Sequence, residues 1–293
     1  MDMFTGARDL IVPSNIINEL YKNKKVSVSP EKIWDKRLRF KIQNEYVTLI
    51  SQDNSKQSAI GRVVDTDIVL LQGDTSIDGL RARNKEQIMA MNALMDDSIK
   101  MVVLTGKAGT GKTLLTLAAA TSKVIDRNLN YDRIILTRPM SWVGKHGLGA
   151  LPGTSDEKFA PYLENYMTNI DFLLNDNKSA REDFIQQLKM EFIPIQLIRG
   201  ASWRNSFVLA DEVQVLNHME MLTLGTRLGE GSKLVILGDL GQRDENIAQD
   251  KTGLWKIANS PIAQESKLVA SVHLVKSERS QLSALVSDIF EAK

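Results

Sequence analysis

The sequence predicts an α/β protein with a mainly parallel sheet covered by helices on both faces, preceded by a small β-rich module. From about residue 81 onward, short apolar strands alternate with helical segments, a pattern typical of parallel sheets. A glycine-rich loop lies between one of these strands and the helix that follows it. The first 80 residues instead contain short β-branched runs separated by polar turns, which favours a small β unit.

The composition is that of an ordinary globular protein and excludes several kinds of site. The 293 residues have room for one large domain or for a core with a smaller addition. The net charge of +1 gives no overall field that attracts nucleic acid or a membrane, so any basic surface is local. The absence of cysteine excludes disulfides, thiolate metal sites and cysteine nucleophiles, and three histidines are too few for a histidine-rich metal site.

Neither a membrane span nor a signal peptide is expected. No apolar run approaches the ~20 residues that cross a bilayer. The N-terminal sequence "MDMFTGARDL" lacks the basic-then-apolar order of a signal peptide. We therefore expect a cytoplasmic protein.

Residues 1–80 form the predicted N-terminal module. "GARDLIVPSNIINELYKN" predicts a strand followed by a short helix, and "RLRFKIQ", "YVTLIS" and "RVVDTDIVLLQ" predict further strands. Between Lys22 and Lys41 there are eight Lys or Arg residues against two Asp or Glu. This basic stretch is either a solvated strand face or a contact surface for nucleic acid or another subunit.

Residues 81–293 form the predicted second domain, after a boundary near "QGDTSIDGLRAR". "NKEQIMAMNALMDD" has helical spacing, with Asn84 as N-cap and Gln87 at the third helical position. The strands expected after it are "MVVLT", "RIILT", "FVLA" and "LVILG", and the segment "LLTLAAATSKVI" is expected to be a helix.

The glycine-rich loop "GKAGTGKT" matches the phosphate-binding pattern G-x-x-x-x-G-K-[ST] between a strand and a helix. Its glycines let backbone N–H groups surround a phosphate chain at a helix N-terminus. Lys112 is expected to reach the β- and γ-phosphates, and the Thr113 hydroxyl to bind Mg²⁺. A purely structural turn is the alternative. The predicted nucleotide contacts in the loop are Gly106, Lys107, Ala108, Gly109, Thr110, Gly111, Lys112, Thr113 and Leu114.

Two adjacent acids end the apolar run "SFVLADE". A phosphate-binding loop needs a carboxylate from a second strand, so Asp211 is predicted to hold Mg²⁺ and Glu212 to orient the attacking water. A phosphotransferase needs only the first acid, and the second therefore favours hydrolysis. The alternative is a pair of solvated acids at a strand end.

Two glutamines accompany these motifs. Gln242 follows the strand in "KLVILGDLGQ", where an amide can contact the γ-phosphate and report its hydrolysis. Gln214 completes the spacing D-E-x-Q, and it either couples the acids to the Gln242 strand or is a polar residue at a helix start.

In their order, these motifs resemble those of PhoH-like ATPases, which are related to the core of superfamily 1 helicases. The resemblance covers about residues 81–293 and rests on "NKEQ", "GKAGTGKT", "ILTRP", "LPG" followed by "EK" and "PY", "IRG", "ADEVQ" and "GSKLVILGDLGQ". It implies a RecA-like αβα sandwich, ATP hydrolysis, an activity directed at single-stranded RNA and a homo-oligomer in the form of a hexameric ring.

The resemblance also assigns individual residues. It makes Gln87 the adenine-contacting glutamine, with a simple helix cap as an equal alternative. Arg138 in "LTRP" contacts phosphate or nucleic acid, or else forms a salt bridge at a strand end. For the arginine that neutralises the γ-phosphate in ring ATPases, Arg279 is the first candidate and Arg243 the second, and a surface salt bridge is the alternative for both.

This chain departs from the family pattern in two places. The loop "SWVGKHGLGALPG" lacks the usual acid, and "RGASWRN" lacks the usual second arginine. Both changes leave the ATP chemistry intact but put the transfer of nucleic-acid contacts in doubt. The first 80 residues resemble the connecting region that follows an N-terminal nuclease in some members of the family.

Three other functions remain open from the sequence. A phosphotransferase would use the same loop with an acceptor pocket, and a nucleotide-gated assembly protein would bind ATP with no nucleic-acid activity. A GTPase is disfavoured because no N-K-x-D signature for guanine follows a late strand.

Overall fold

The computed structural model describes residues 3–27, 42–73, 75–125, 131–140, 155–243 and 247–278. The strands in these ranges are β1 Ala7–Val12, β2 Lys25–Ser27, β3 Tyr46–Ser51, β4 Ser58–Val64, β5 Asp67–Leu70, β6 Ser76–Ile77, β7 Leu80–Arg81, β8 Met101–Gly106, β9 Arg133–Thr137, β10 Glu191–Phe192, β11 Ser206–Ala210, β12 Lys233–Gly238 and β13 Val269–Leu274. The α-helices are α1 Ser14–Asn23, α2 Lys85–Met95, α3 Lys112–Ile125, α4 Ser155–Leu173, α5 Arg181–Gln187, α6 His218–Gly225, α7 Gly253–Ala258 and α8 Pro261–Glu265.

The larger sheet of the described chain has six parallel strands in the order β10-β9-β11-β12-β8-β13. Its central strands β11 and β12 are buried along their whole length, because helices cover both faces. Residues of α2, α3 and α4 pack on one face, and residues of α6 and α7 pack on the other. The predicted RecA-like αβα sandwich is therefore confirmed, and the carboxyl ends of its strands share one edge.

The N-terminal module is also β-rich, as predicted. Five of its described strands form one sheet in the order β1-β3-β4-β5-β2, in which β1 runs parallel to β3 and the other pairs are antiparallel, while β6 pairs with β7 in a separate two-stranded sheet. Helix α1 buries Ile16, Ile17 and Leu20 against this sheet. The module thus has a small apolar core of its own.

The module contacts helix α2 at both of its ends. Three polar contacts join them, from Lys85 to Asp9 (2.7 Å), Asn92 to Tyr46 (3.1 Å) and Asp96 to Arg62 (2.6 Å). The Tyr46 ring is fully buried in the same core cluster as α2. The module and α2 therefore share an interface, while the predicted domain boundary near residue 80 stays a prediction.

A buried lysine closes the C-terminal end of α2. The Lys233 side chain has 0% exposure, and its Nζ donates to the carbonyl oxygens of Ala93 (2.9 Å), Leu94 (2.7 Å) and Asp96 (2.8 Å). The last carbonyls of a helix have no partner within the helix, so a lysine is a suitable cap for them. Burial lowers the pKa of Lys233 to about 7.

Some predictions fall outside the described residues. These are most of the basic stretch between residues 22 and 41, the glycine-rich loop 141–153 and the candidate Arg279. Along the ranges given above, no helix has both the length and the apolar character that crossing a bilayer requires.

Candidate active site

The phosphate-binding loop joins β8 directly to α3, as its sequence predicts. Gly106 has φ 142°, and a Cβ atom there would lie 2.3 Å from the carbonyl oxygen of Leu274 on the neighbouring strand. Gly111 has φ 94°, which side chains rarely adopt. These glycines therefore let the chain turn tightly from the strand into the helix N-terminus, whose partial positive charge attracts anions.

The loop opens onto a cavity of about 220 Å³ at the carboxyl edge of the large sheet. Most of the predicted site residues line it, together with residues from α4. The lining residues are Ala108, Gly109, Gly111, Lys112, Thr113, Leu114, Asn165, Asn169, Asp211, Glu212, Gly238, Asp239 and Gln242. Of the predicted loop contacts, Gly106, Lys107 and Thr110 are not among the residues that line this cavity.

Lys112 lies at the start of α3, and its side chain forms hydrogen bonds with the backbone of the phosphate-binding loop. Its Nζ donates to the carbonyl oxygens of Gly106 (2.6 Å) and Lys107 (2.9 Å). The ammonium group and the helix N-terminus together make this side of the cavity positive. A chain of phosphates is the ligand that this arrangement suits.

Two oxygen-bearing side chains, Thr113 from the start of α3 and Asp211 from just after β11, face each other at the cavity. The Thr113 hydroxyl donates to Asp211 Oδ2 at 3.3 Å, although the two residues are far apart in sequence. Asp211 is only 4% exposed, and its Oδ1 accepts from the Glu212 backbone N–H at 2.9 Å. Burial, and next the charge of Glu212, raise the pKa of Asp211.

This donor set fits Mg²⁺, a hard cation that prefers oxygen ligands and keeps several waters. The part of the chain described here holds no cluster of three or more Asp, Glu or His side chains that could bind a metal. An ion at Thr113 and Asp211 would therefore take its remaining ligands from water and phosphate, as is usual for Mg²⁺ in nucleotide sites.

Glu212 has a strained backbone, and a hydrogen bond from Gln214 fixes its side chain. Its φ of 56° lies in the left-handed region, which is uncommon outside glycine and occurs where function requires it. Its Oε2 accepts from Gln214 Nε2 at 2.6 Å. The Gln214 Oε1 in turn accepts from the Asp239 backbone N–H at 3.2 Å. Gln214, which is 3% exposed, thus connects the ends of β11 and β12.

Gln242 reaches the cavity from the turn that follows β12. The Asp239 side chain accepts from the Gly241 N–H at 2.9 Å, and the Gln242 N–H donates to the Asp239 carbonyl at 2.9 Å. These bonds close the turn and leave Gln242 exposed at the rim. Arg243 donates to two backbone carbonyls of the same loop, those of Leu240 and Ile247.

Gln87 ties helix α2 to the back of the phosphate-binding loop. Its Nε2 donates to the Thr110 carbonyl at 3.1 Å, and its Oε1 accepts from the Arg83 N–H at 2.9 Å. Asn84 is the N-cap, as expected, and accepts from the Gln87 N–H. Gln87 is buried and does not line the cavity, so its contact with adenine stays a prediction.

The segment after β13 also contacts the loop, which the sequence did not predict. The Glu278 backbone N–H donates to the Gly109 carbonyl at 2.9 Å. Its Oε1 accepts from Asn84 Nδ2 at 3.2 Å. The phosphate-binding loop is therefore braced from two directions, by Gln87 of α2 and by the chain that leaves β13.

Helix α4 contributes further side chains that the sequence prediction missed. The Tyr166 hydroxyl donates to Asp211 Oδ2 at 3.2 Å, and Asn165 and Asn169 line the cavity. The Arg138 guanidinium lies 5.6 Å from the centre of the Tyr162 ring. The signal was present in "YLENYMTN", because residues 162, 165, 166 and 169 share one face of a helix.

Comparison with known proteins agrees with these motifs. Residues 79–291 match the family described as "PhoH-like protein". The chain belongs to the PhoH-like family. Protein PhoH2 of Bacillus subtilis strain 168 is 33% identical to it over 98% of this chain and 64% of the relative.

Two other PhoH-like relatives show similar identity. Protein PhoH2 of Mycolicibacterium smegmatis is 35% identical over 80% of this chain and 52% of its own. Protein PhoH of Escherichia coli K12 is 33% identical over 72% and 55%. The chain thus spans about half to two thirds of the length of these relatives.

Solved structures with a similar arrangement have low sequence identity to this PhoH-like chain. The Pif1 helicase from Candida albicans is 15% identical, with coverage of 71% of this chain and 44% of its own and a TM-score of 0.35. The Sulfolobus solfataricus SWI2/SNF2 ATPase core, solved in complex with dsDNA, is 15% identical, with coverage of 68% and 40% and a TM-score of 0.39.

Proposed function

We propose that this PhoH-like protein is an Mg²⁺-dependent ATPase. The observation that carries the proposal is the meeting of the phosphate-binding loop with Asp211 and Glu212 at a single cavity. A structural turn has no need of a buried carboxylate against the threonine of the loop. Two solvated acids at a strand end would not include one that is almost fully buried.

Each side chain has a role in binding or in proton transfer. Lys112 and the N–H groups at the start of α3 bind the β- and γ-phosphates. Thr113 and Asp211 would hold Mg²⁺, which supplies charge neutralisation at the phosphate oxygens when it is bound. Glu212 accepts a proton from the attacking water.

The glutamines orient these groups. Gln214 fixes the Glu212 carboxylate through the 2.6 Å bond and connects it to the backbone of Asp239. Gln242, at the cavity rim, contacts the γ-phosphate and reports its loss through the turn after β12. Hydrolysis is favoured over transfer to another acceptor because Glu212 is placed beside Asp211 at the cavity.

We further propose that ATP hydrolysis is coupled to single-stranded RNA in a homo-oligomeric ring. The order of motifs shared with PhoH-like ATPases supports this coupling. We expect unwinding to require neighbouring subunits, and we expect the arginine that neutralises the γ-phosphate, from a neighbour or from the same chain, to be Arg279 or, as the second candidate, Arg243.

Replacing Glu212 with Gln tests the proposal. Glu212→Gln should abolish release of phosphate while ATP still binds, and Glu230→Gln, which changes a side chain with 91% exposure, should do neither. Unchanged hydrolysis in Glu212→Gln would refute the assigned role.

Product analysis and RNA dependence separate the remaining alternatives. A phosphorylated acceptor in place of free phosphate would identify a phosphotransferase. A hydrolysis rate that is indifferent to single-stranded RNA, in a protein whose native mass is that of a monomer, would leave only nucleotide chemistry. That result would remove the RNA part of the proposal.

A further inference from the structure

Helix α4 presents a stripe of four side chains to the candidate active site. Tyr162, Asn165, Tyr166 and Asn169 are spaced three, four and seven residues apart, which places them on one helix face. Two of them line the cavity, one stacks near Arg138 and one bonds Asp211.

Tyr166 is the member of the stripe that touches the predicted metal ligand. Its side chain is fully buried, and a buried tyrosine hydroxyl needs a hydrogen-bond partner. That partner is Asp211 Oδ2, the same oxygen that accepts from the Thr113 hydroxyl. The other oxygen, Oδ1, accepts from the Glu212 N–H. The Asp211 carboxylate is thus held by three donors, namely hydroxyls from α3 and α4 and the backbone N–H of the next residue.

These three donors fix the rotation of the carboxylate. The bond from Glu212 turns Oδ1 towards the backbone, and the Tyr166 hydroxyl then keeps Oδ2 directed at Thr113. Without that hydroxyl, Oδ2 would keep a single weak partner at 3.3 Å. A buried carboxylate that loses a partner seeks another, and rotation away from Thr113 would separate the two metal-binding oxygens.

We propose that Tyr166 is a positioning residue that holds Asp211 in the orientation required for Mg²⁺. This inference rests on the proposed ATPase function, because it concerns the same metal. Groups that hydrogen-bond a metal ligand commonly change metal affinity by about 10- to 100-fold when they are removed. Tyr166 does not touch the phosphates, so its removal should leave metal-free nucleotide binding unchanged.

The neighbouring members of the stripe support this role. The Arg138 guanidinium lies against Tyr162, one helical turn before Tyr166, and its positive charge acts on Asp211. The Arg138 Nε is buried without a hydrogen-bond partner among the described residues. The face of α4 that carries Tyr166 is therefore polar and directed at the site, which a helix serving only to pack the core does not require.

A purely structural role for Tyr166 is the competing explanation, because its ring belongs to the core cluster under α3 and α4. Tyr166→Phe keeps the ring and removes only the hydroxyl. Tyr131→Phe is the matched control, since the Tyr131 hydroxyl donates to Asp97 Oδ1 at 3.3 Å in the same core cluster. Tyr131 precedes the start of β9, whereas the site lies at the other end of that strand.

The experiment measures metal binding separately from turnover. Binding of Mn²⁺ in the presence of ADP is followed by electron paramagnetic resonance. A fluorescent ATP analogue is titrated with and without Mg²⁺. Asp211→Asn serves as the variant that lacks the metal carboxylate, and the thermal midpoint of each variant reports its folding.

We expect Tyr166→Phe to weaken Mn²⁺ binding by about 10- to 100-fold and to raise the Mg²⁺ requirement of the analogue equally. Its metal-free affinity for the analogue should match wild type, and Tyr131→Phe should match wild type in both assays. Wild-type metal affinity in Tyr166→Phe would overturn the proposal, and so would an equal loss in Tyr131→Phe. If instead the wild-type protein binds no nucleotide, the proposed ATPase function fails.

Discussion

The burial of Lys233 predicts a pH dependence of the unfolding free energy that can be tested without nucleotide. Its ammonium group lies under the last turn of α2 and donates to three backbone carbonyls. Lys233→Met keeps the length of the side chain and removes the charge. The variant therefore loses the three bonds but also the cost of burying an ammonium ion.

The size of the effect follows from the pKa. Burial lowers the pKa of Lys233 from 10.5 to about 7 in the folded protein, and each pKa unit corresponds to about 1.4 kcal/mol. Between pH 7 and 10.5 the unfolded chain binds a proton at this site that the folded protein does not. The contribution of Lys233 to the free energy of unfolding therefore rises with pH over this window, by up to about 5 kcal/mol, and this gain is lost again as the pH falls towards 7.

The assay is urea unfolding of both proteins, followed by tryptophan fluorescence, at several pH values from 6 to 9. The difference in unfolding free energy, wild type minus Lys233→Met, should be constant below pH 7. Above pH 7 it should rise by about 1.4 kcal/mol per pH unit. Parallel pH profiles for the two proteins would refute the reasoning, because they would show that Lys233 does not titrate in this range.

Three further predictions concern the site. Glu212→Gly should unfold at a higher temperature than Glu212→Ala, with a gain of about 1 kcal/mol, because only glycine adopts a φ of 56° without strain; equal midpoints would contradict this. Gln214→Leu should lower turnover by at least about tenfold with ATP affinity retained, since Glu212 loses its partner; a wild-type rate would show that the bond is dispensable. Gly106→Ala should destabilise the fold by several kcal/mol in thermal unfolding, because its Cβ would meet the Leu274 carbonyl, whereas Gly73→Ala, which meets nothing within 4 Å, should not.

The sequence predicted those parts of the site whose functional residues lie close together in short segments. "GKAGTGKT" carries its glycines, lysine and threonine together, and the acids Asp211 and Glu212 end an uninterrupted apolar strand. In a parallel sheet every strand delivers its carboxyl end to the same edge. Local sequence patterns were therefore enough to predict that Thr113 and Asp211 meet at one cavity.

The missed parts depend on pairs that are distant in sequence. The bond from Tyr166 to Asp211 joins a helix to the end of a strand across 45 residues. The local pattern shows that Tyr166 shares a helix face with residues 162, 165 and 169, but it does not show which distant residue that face contacts. The sequence predicts only that Lys233 begins an apolar strand, because nothing near it in sequence reveals the helix end that it caps. Gln87 satisfied the pattern of a helix cap, and only the fold shows that it also bonds the Thr110 carbonyl.

The packing of the N-terminal module against α2 could not be predicted from the sequence either. Its strands were predicted from alternation within each run, which depends only on neighbouring residues. The contact of Tyr46 with Asn92, by contrast, depends on which surface of the module meets α2. Which surfaces come into contact depends on the packing of the whole fold, and a short segment of sequence does not determine it.

The strand order has a consequence for how the protein is made. Strand β8, which leads into the phosphate-binding loop, pairs only with β12 and β13 among the described strands, and both follow it by roughly 130 residues or more. At ordinary rates of synthesis, about 6 to 25 seconds separate β8 from its first partner. During that time an apolar strand waits with both edges unpaired, so it is a site where aggregation can begin or a chaperone can bind. A fragment that stops before β12 would contain the complete phosphate-binding sequence and lack the strands that hold it in place.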